Sequence, residues 1–160
     1  MEKEVIIFLE KHKTEYILHT HPAVFTTADV EKYCDNIPGL SCKNLFLKQE
    51  KSENYMLVIL PAHKRMQLKE FGKIISLRRI TFAKEDELYD LLKLSAGAVS
   101  PFGLLNDINT VVKLYIDSEV WNADIVRFHP NVNTETIELR NEVFHDLILN
   151  MKNEYQIVHL

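Results

Sequence analysis

A chain of 160 residues with 19 Lys and Arg against 23 Asp and Glu carries a formal net charge of −4, which excludes a strongly basic nucleic-acid binder. It does not exclude an enzyme that reads only the end of an RNA, because such an enzyme needs few phosphate contacts. With 46% hydrophobic and 26% charged residues, the length suits one compact domain over residues 1–160 and excludes low-complexity disorder.

The two cysteines, Cys34 and Cys42, are too few for a disulfide framework and read as reduced, partly buried thiols. No apolar run approaches the roughly 20 residues that span a bilayer. Met1-Glu2-Lys3-Glu4 has no signal-peptide pattern. The expectation is a soluble, cytoplasmic protein with neither membrane nor DNA as a partner.

Residues 2–13 have an amphipathic helical pattern, with Val5, Ile6, Phe8 and Leu9 as a broad apolar stripe. Residues 15–19 form a short strand candidate. Pro22 disfavours helix at His21, and Thr27 is a candidate cap for a helix over 28–35. Two strands follow at 44–49 and 55–60, joined by the polar turn 50–54. Residues 64–75 are helical in pattern, with Gly72 weakening the last turn, and 79–83 form a short strand. A helix over 84–94 precedes a loop, 97–103, shaped by two glycines and a proline. Strands are predicted at 110–116, 125–128 and 136–139. A helix over 141–151 with Asn141 as its cap and a last strand at 155–160 complete the chain. The irregular alternation predicts an α/β domain with a mixed, mostly antiparallel sheet surrounded by helices.

Most catalytic templates fail. There is no Gly-rich phosphate loop, no Gly-x-Ser-x-Gly elbow and no zinc-binding helix or Cys/His cluster. His19 and His21 share an extended segment but lack a third ligand, so no metal and no cofactor is expected. Three segments are odd for a simple core. Lys43-Asn44-Leu45-Phe46-Leu47 sets a lysine and an amide at the start of a hydrophobic strand. Taken alone, Lys43 reads as a solvated strand-end lysine sooner than as a cation at a cleft edge. The loop from Gly97 to Asp107 reads equally as a surface turn and as a rigid frame for oxyanion-binding amides. His129, in Phe128-His129-Pro130-Asn131, reads first as a turn histidine and second as an acid/base or pocket donor. The residues alone stop at a mixed α/β domain with a cleft.

Five segments, in order, resemble the YbaK/ProX superfamily of aminoacyl-tRNA editing domains. They are His21-Pro22-Ala23-Val24-Phe25-Thr26-Thr27-Ala28, Lys43-Asn44-Leu45-Phe46-Leu47-Lys48, Leu60-Pro61-Ala62, the run from Gly97 to Asp107, and Phe128-His129-Pro130. Ser100-Pro101-Phe102-Gly103-Leu104 with Asn106-Asp107 resembles the branch that deacylates alanyl-tRNA(Pro). The resemblance implies metal-independent hydrolysis of an aminoacyl ester. It implies Lys43 as the essential lysine near the terminal nucleotide, and the Gly97-x-x-x-Pro101 loop as the holder of the substrate carbonyl. Asn44 and His129 match positions of the substrate pocket. Phe25, Thr26, Thr27, Ala98, Val99 and Ser100 are expected to help line it, with Phe25 and Val99 as walls of a small-residue sieve.

The partner so implied is the acceptor end of a mischarged tRNA(Pro), with transient contact to prolyl-tRNA synthetase. Further phosphate binding is expected from Lys48, Lys64 and Arg65, while Lys64 and Arg65 read more safely as a solvated helix start. Two other readings stay open. One is a deacylase for another small residue, cysteine or serine. The other is a non-catalytic module that binds tRNA or a synthetase on the same fold.

Overall fold

The unbroken apolar run Met56-Leu57-Val58-Ile59-Leu60 leaves no face for solvent, and all five side chains are at most 1% exposed. The computed structural model describes residues 1–160, apart from the side chain of Thr27. In chain order the elements are α1 (Lys3–Lys11), β1 (Ile17–Thr20), α2 (Thr27–Cys34), β2 (Leu40–Gln49), β3 (Tyr55–Pro61), α3 (Leu68–Ile74), β4 (Ile80–Phe82) and α4 (Glu85–Leu92). Two 3-10 turns (Ala96–Ala98 and Pro101–Asn106), β5 (Val112–Asp117), α5 (Ser118–Asn122), β6 (Ile125–Phe128), β7 (Glu135–Arg140), α6 (Asn141–Asn150) and β8 (Tyr155–Val158) follow.

The strands form one sheet in the order β1-β7-β6-β2-β3-β5-β8, with β4 alongside β2. The pairs β1–β7, β6–β7, β2–β3 and β2–β4 are antiparallel, and β2–β6, β3–β5 and β5–β8 are parallel. This is the mixed, mostly antiparallel sheet that the sequence predicts. β3 lies between β2 and β5, so alternate side chains enter two cores. Leu57 and Ile59 join the larger one with Phe102, Leu114 and Phe144. Met56, Val58 and Leu60 join the other with Phe71 of α3 and Tyr115 of β5. Each such burial is worth about 1.5–3 kcal/mol, which fixes β3 and hence the register of β2 beside it.

Several boundaries differ from the sequence expectation, each for a local reason. The cap of α2 is Thr26, not Thr27. Its hydroxyl accepts from the Asp29 amide at 3.2 Å, and the Asp29 carboxylate accepts from the Thr26 amide at 3.0 Å. α3 starts at Leu68, because Lys64 is pulled out of a helix by its ammonium bonds to Asp117 at 2.9 Å and to the Leu160 carbonyl at 3.2 Å. Arg140 occupies the cap position of α6, and Asn141 instead donates to the carbonyls of Trp121 and Ala123, both at 2.8 Å. α5 was not expected at all. It forms because the Asp117 carboxylate accepts from the Glu119 amide at 2.9 Å, which begins a short helix at the end of β5. No helix among the described residues is long and apolar enough to cross a membrane.

Candidate active site

β2 changes neighbours along its length. Leu40 and Ser41 pair in parallel with Val126 and Arg127 of β6, whereas Leu47 to Gln49 pair with β4. Between them, residues 42–45 have no strand on that flank among the described pairings, and a cavity of about 260 Å³ opens there. Divergence of strands at the end of a parallel pair is where open α/β sheets collect ligands.

Four walls converge on the cavity. β2 supplies Ser41, Cys42, Lys43 and Asn44; the end of β6 supplies Arg127, Phe128 and His129. The first 3-10 turn supplies Ala96 and Gly97 with the following Val99, and α2 with its lead-in supplies Val24, Phe25, Thr26, Val30 and Cys34. Segments far apart in sequence thus meet, and Lys43, Asn44, Gly97, Val99, His129, Phe25 and Thr26 share one space.

Alternation along β2 sends Lys43 and Asn44 to opposite faces of the sheet. Lys43 lies on the side of Leu45 and Leu47, and its ammonium donates to the carbonyl of Lys64 rather than toward the glycine–proline segment. Burial and the nearby Arg65 charge hold its pKa below the ordinary lysine value. Asn44 lies on the other side, and its Nδ2 donates to the Val99 carbonyl at 3.1 Å, tying the turn to the strand.

His129 is half-buried, and its pKa is lowered from 6.5 to about 4, chiefly by burial, with electrostatic repulsion from the His21 and Arg127 side chains adding to it. It is therefore neutral at pH 7, able to donate or accept but not to act as a cation. His21 is held by the Pro22 carbonyl at 2.8 Å and the Thr136 hydroxyl at 2.9 Å. His19 bonds Glu138 at 2.9 Å, so the two histidines do not converge on a common point. Burial pushes the Cys42 thiol up to about 12, which keeps it an unreactive wall.

The remaining expected residues stand behind the wall. Ser100 is fully buried; its hydroxyl accepts from the Phe102 amide at 3.1 Å and donates to Asn131 at 3.0 Å. Asn131 in turn donates to Glu2 at 2.9 Å, so the loop is braced against α1. Pro101 opens the second 3-10 turn, is buried, and has no N–H to offer. The Ala98 amide is taken by the Ser95 carbonyl at 3.0 Å. Ala98, Ser100 and Pro101 shape the loop rather than line the cavity. The Thr26 hydroxyl is used in the α2 cap, Phe25 stands 74% exposed at the mouth, and the side chain of Thr27 lies outside what the structure describes. Lys48 pairs with Glu87, and Lys64 pairs with Asp117 and Glu119, so neither ammonium is left for phosphate.

Sequence reasoning missed Arg127. Its Nη1 donates to the carbonyls of Cys34 and Ile37 and closes the C-terminal end of α2 over the cavity. An arginine inside the apolar strand Ile125-Val126-Arg127-Phe128 was the available signal. Ser41 and Thr136 gave no comparable one. No group of three or more His, Cys, Asp or Glu side chains that could hold a metal occurs among the described residues.

The family described as the aminoacyl-tRNA editing domain matches residues 21–147. The chain belongs to that family. The chain is 33% identical over 159 residues to the Prolyl-tRNA editing protein ProX of Acetoanaerobium sticklandii, covering 99% of this chain and 97% of that protein. It is 33% identical over 128 residues to the Prolyl-tRNA synthetase associated domain-containing protein 1 of Mus musculus, covering 78% and 75% of the two chains. The same fold recurs in a solved structure described as a candidate trans-editing enzyme for prolyl tRNA synthetase, with a TM-score of 0.74, 17% identity, and coverage of 100% and 98%. The editing domain's two flanking segments, 1–20 and 148–160, complete the sheet and brace the site through β1, β8 and the Asn131–Glu2 bond.

Proposed function

We propose that this chain is a trans-editing hydrolase that removes alanine from mischarged tRNA(Pro), releasing free alanine and tRNA. The observation that carries the reading is one cavity that gathers Lys43, Asn44, Gly97 and His129 from three separate segments, in a chain similar over nearly its whole length to a prolyl-tRNA editing protein. At about 260 Å³ the space is below the roughly 300–1,000 Å³ of ordinary small-molecule pockets, which favours a small aminoacyl group. A methylene more or less is worth only about 1–3 kcal/mol in a pocket, so exclusion of proline has to come from clash with walls such as Val99.

An aminoacyl ester is already activated, so positioning and charge stabilisation suffice. Water attacks the ester carbonyl, and amides of the Gly97 turn stabilise the oxyanion. Loss of one such donor costs about 3–4 kcal/mol of barrier. Lys43 exchanges the Lys64 carbonyl for a phosphate of the terminal adenosine. Neutral His129 donates within the pocket, and the ribose hydroxyl of the tRNA assists proton transfer. Transient contact with prolyl-tRNA synthetase and residence in the cytoplasm belong to the same reading.

The test is release of amino acid from alanyl-, prolyl- and cysteinyl-tRNA(Pro) by the pure protein. Release from the alanyl form alone is expected. Preference for the cysteinyl form would move the specificity to cysteine, and no release from any would leave a binding module.

A further inference from the structure

Charge is distributed unevenly along this acidic chain. Residues 62–84 hold seven of its 19 Lys and Arg but only one of its 23 Asp and Glu, Glu70. Two of the seven are neutralised, Lys64 by Asp117 and Glu119 and Lys73 by Glu70. Arg65, Lys69, Arg78 and Arg79 are exposed and enter no ion pair among the described residues.

The backbone gathers these charges into one surface. Lys69 and Lys73 are four residues apart and so lie on one face of α3. At Gly72 the chain folds back: the Leu77 amide donates to the Gly72 carbonyl at 2.8 Å, and a Cβ on Gly72 would lie 2.5 Å from the Leu77 carbonyl oxygen. That return brings Arg78 and Arg79 beside α3. Their carbonyls are bonded to the end of β2, by the Gln49 side chain at 3.1 Å and the Glu50 amide at 2.9 Å, which pins the turn and leaves both guanidinium groups outward. Between α3 and the turn lies a hollow of about 850 Å³, with Leu77 and Ile80 among its apolar lining and Lys69, Lys73, Arg78 and Arg79 at its rim.

One end of this run of charge adjoins Lys43 of the candidate active site. Arg65 follows the residue whose carbonyl receives the Lys43 ammonium, and its charge adds to burial in lowering the Lys43 pKa. From Lys43 the exposed positive residues are Arg65, next to its hydrogen-bond partner, and then Lys69, Arg78 and Arg79 around the hollow.

Resting on the functional reading above, we infer that this strip carries the sugar–phosphate backbone of the tRNA acceptor stem while the terminal nucleotide enters the cavity. The chemistry is that of a phosphodiester track. Guanidinium and ammonium groups at the rim meet phosphates, and the apolar lining meets ribose edges. The strip also resolves how a chain of net charge −4 holds a polyanion: the repulsive charge lies elsewhere.

The test compares the wild type with a Lys69→Gln, Arg78→Gln, Arg79→Gln variant and with a control of equal charge change on and beside α1, Lys3→Gln, Lys11→Gln, Lys13→Gln. All six side chains are exposed, and matching thermal melts verify that folding is intact. The probe is a deacylated acceptor-stem hairpin of tRNA(Pro), followed by fluorescence anisotropy across a salt series. The strip variant is expected to bind at least about tenfold more weakly and to flatten the slope of log affinity against log salt by about two to three, with the control unchanged. Deacylation of alanyl-tRNA(Pro) is expected to show a raised KM and an unaltered kcat. Wild-type affinity and slope in the strip variant, an equal loss in the control, or loss of affinity for prolyl-tRNA synthetase with RNA binding intact would each overturn the assignment. The hairpin measurement needs no hydrolysis, so it decides this inference even if no mischarged tRNA is cleaved.

Discussion

Asn44 Nδ2 donates to the Val99 carbonyl at 3.1 Å, joining the strand that carries Lys43 to the turn that carries Gly97. The other half of the same amide, Oδ1, is buried without a hydrogen-bond partner among the described residues. Such an orphan costs about 1–3 kcal/mol, so Asn44 is held at this position against local stability. Asn44→Ala removes both the tether and the orphan. Its thermal stability is expected to change by less than about 1 kcal/mol, because a lost neutral hydrogen bond and a relieved orphan offset. Its kcat/KM on alanyl-tRNA(Pro) is expected to fall at least tenfold. A kcat/KM equal to wild type would mean that the tether does not position the turn.

Lys43 carries a different prediction, because its ammonium is partly desolvated and repelled by Arg65. Its pKa is lowered, so the cation is present at neutral pH and is lost, as pH rises, before an ordinary lysine would be. An interaction with phosphate that needs the cation weakens over the same alkaline range. KM for aminoacyl-tRNA is therefore expected to rise with pH below 10.5 in the wild type and to stay flatter in Lys43→Arg. Lys43→Ala is expected to lose deacylation while melting as the wild type does. A pH-independent KM in the wild type would remove the ammonium from binding.

The contrast between these two neighbours shows how far the sequence could be read. Their presence at the head of an apolar strand was legible, because polar residues there break the β3-facing pattern. The run Met56 to Leu60 likewise announced a strand, though not its place between β2 and β5. What one chain position cannot reveal is the partner across space. Lys48 and Lys64 read as free cations until Glu87, Asp117 and Glu119 are brought to them by folding. Ser100 reads as a pocket residue until Asn131 draws its hydroxyl inward. Arg127 stood in plain view in β6, yet its targets, the carbonyls of Cys34 and Ile37, are about 90 residues upstream. Local signals located the elements, and the long-range hydrogen bonds decided which polar residues face the cavity.

His129 links the site to stability. Its folded pKa of about 4 lies below the unfolded value of 6.5, so the unfolded chain binds a proton more readily between those two values. The contribution to stability is complete above pH 6.5 and is lost progressively as pH falls toward 4. The loss attributable to this residue is at most roughly 3 kcal/mol. Urea unfolding at stepped pH is expected to show the decline in the wild type and a shallower one in His129→Gln. Identical slopes in the two proteins would show that other groups carry the acid sensitivity.

Gly97 offers the cleanest separation of folding from chemistry. It is exposed, and a Cβ built on it meets no atom within 4 Å, so an added methyl group enters open space rather than the protein. Gly97→Ala is therefore expected to match or slightly exceed the wild type in thermal stability, since alanine loses less backbone entropy on folding. The same methyl group would stand beside the amides assigned to the oxyanion. There it would displace the ester carbonyl, and misplacement by about 1 Å costs on the order of 10²-fold in rate. The expected result is a stable protein with kcat lowered about a hundredfold and tRNA affinity preserved, because Lys43 and the basic strip are untouched. A fully active Gly97→Ala would exclude this turn as the carbonyl's cradle, even with every other feature of the cavity in place.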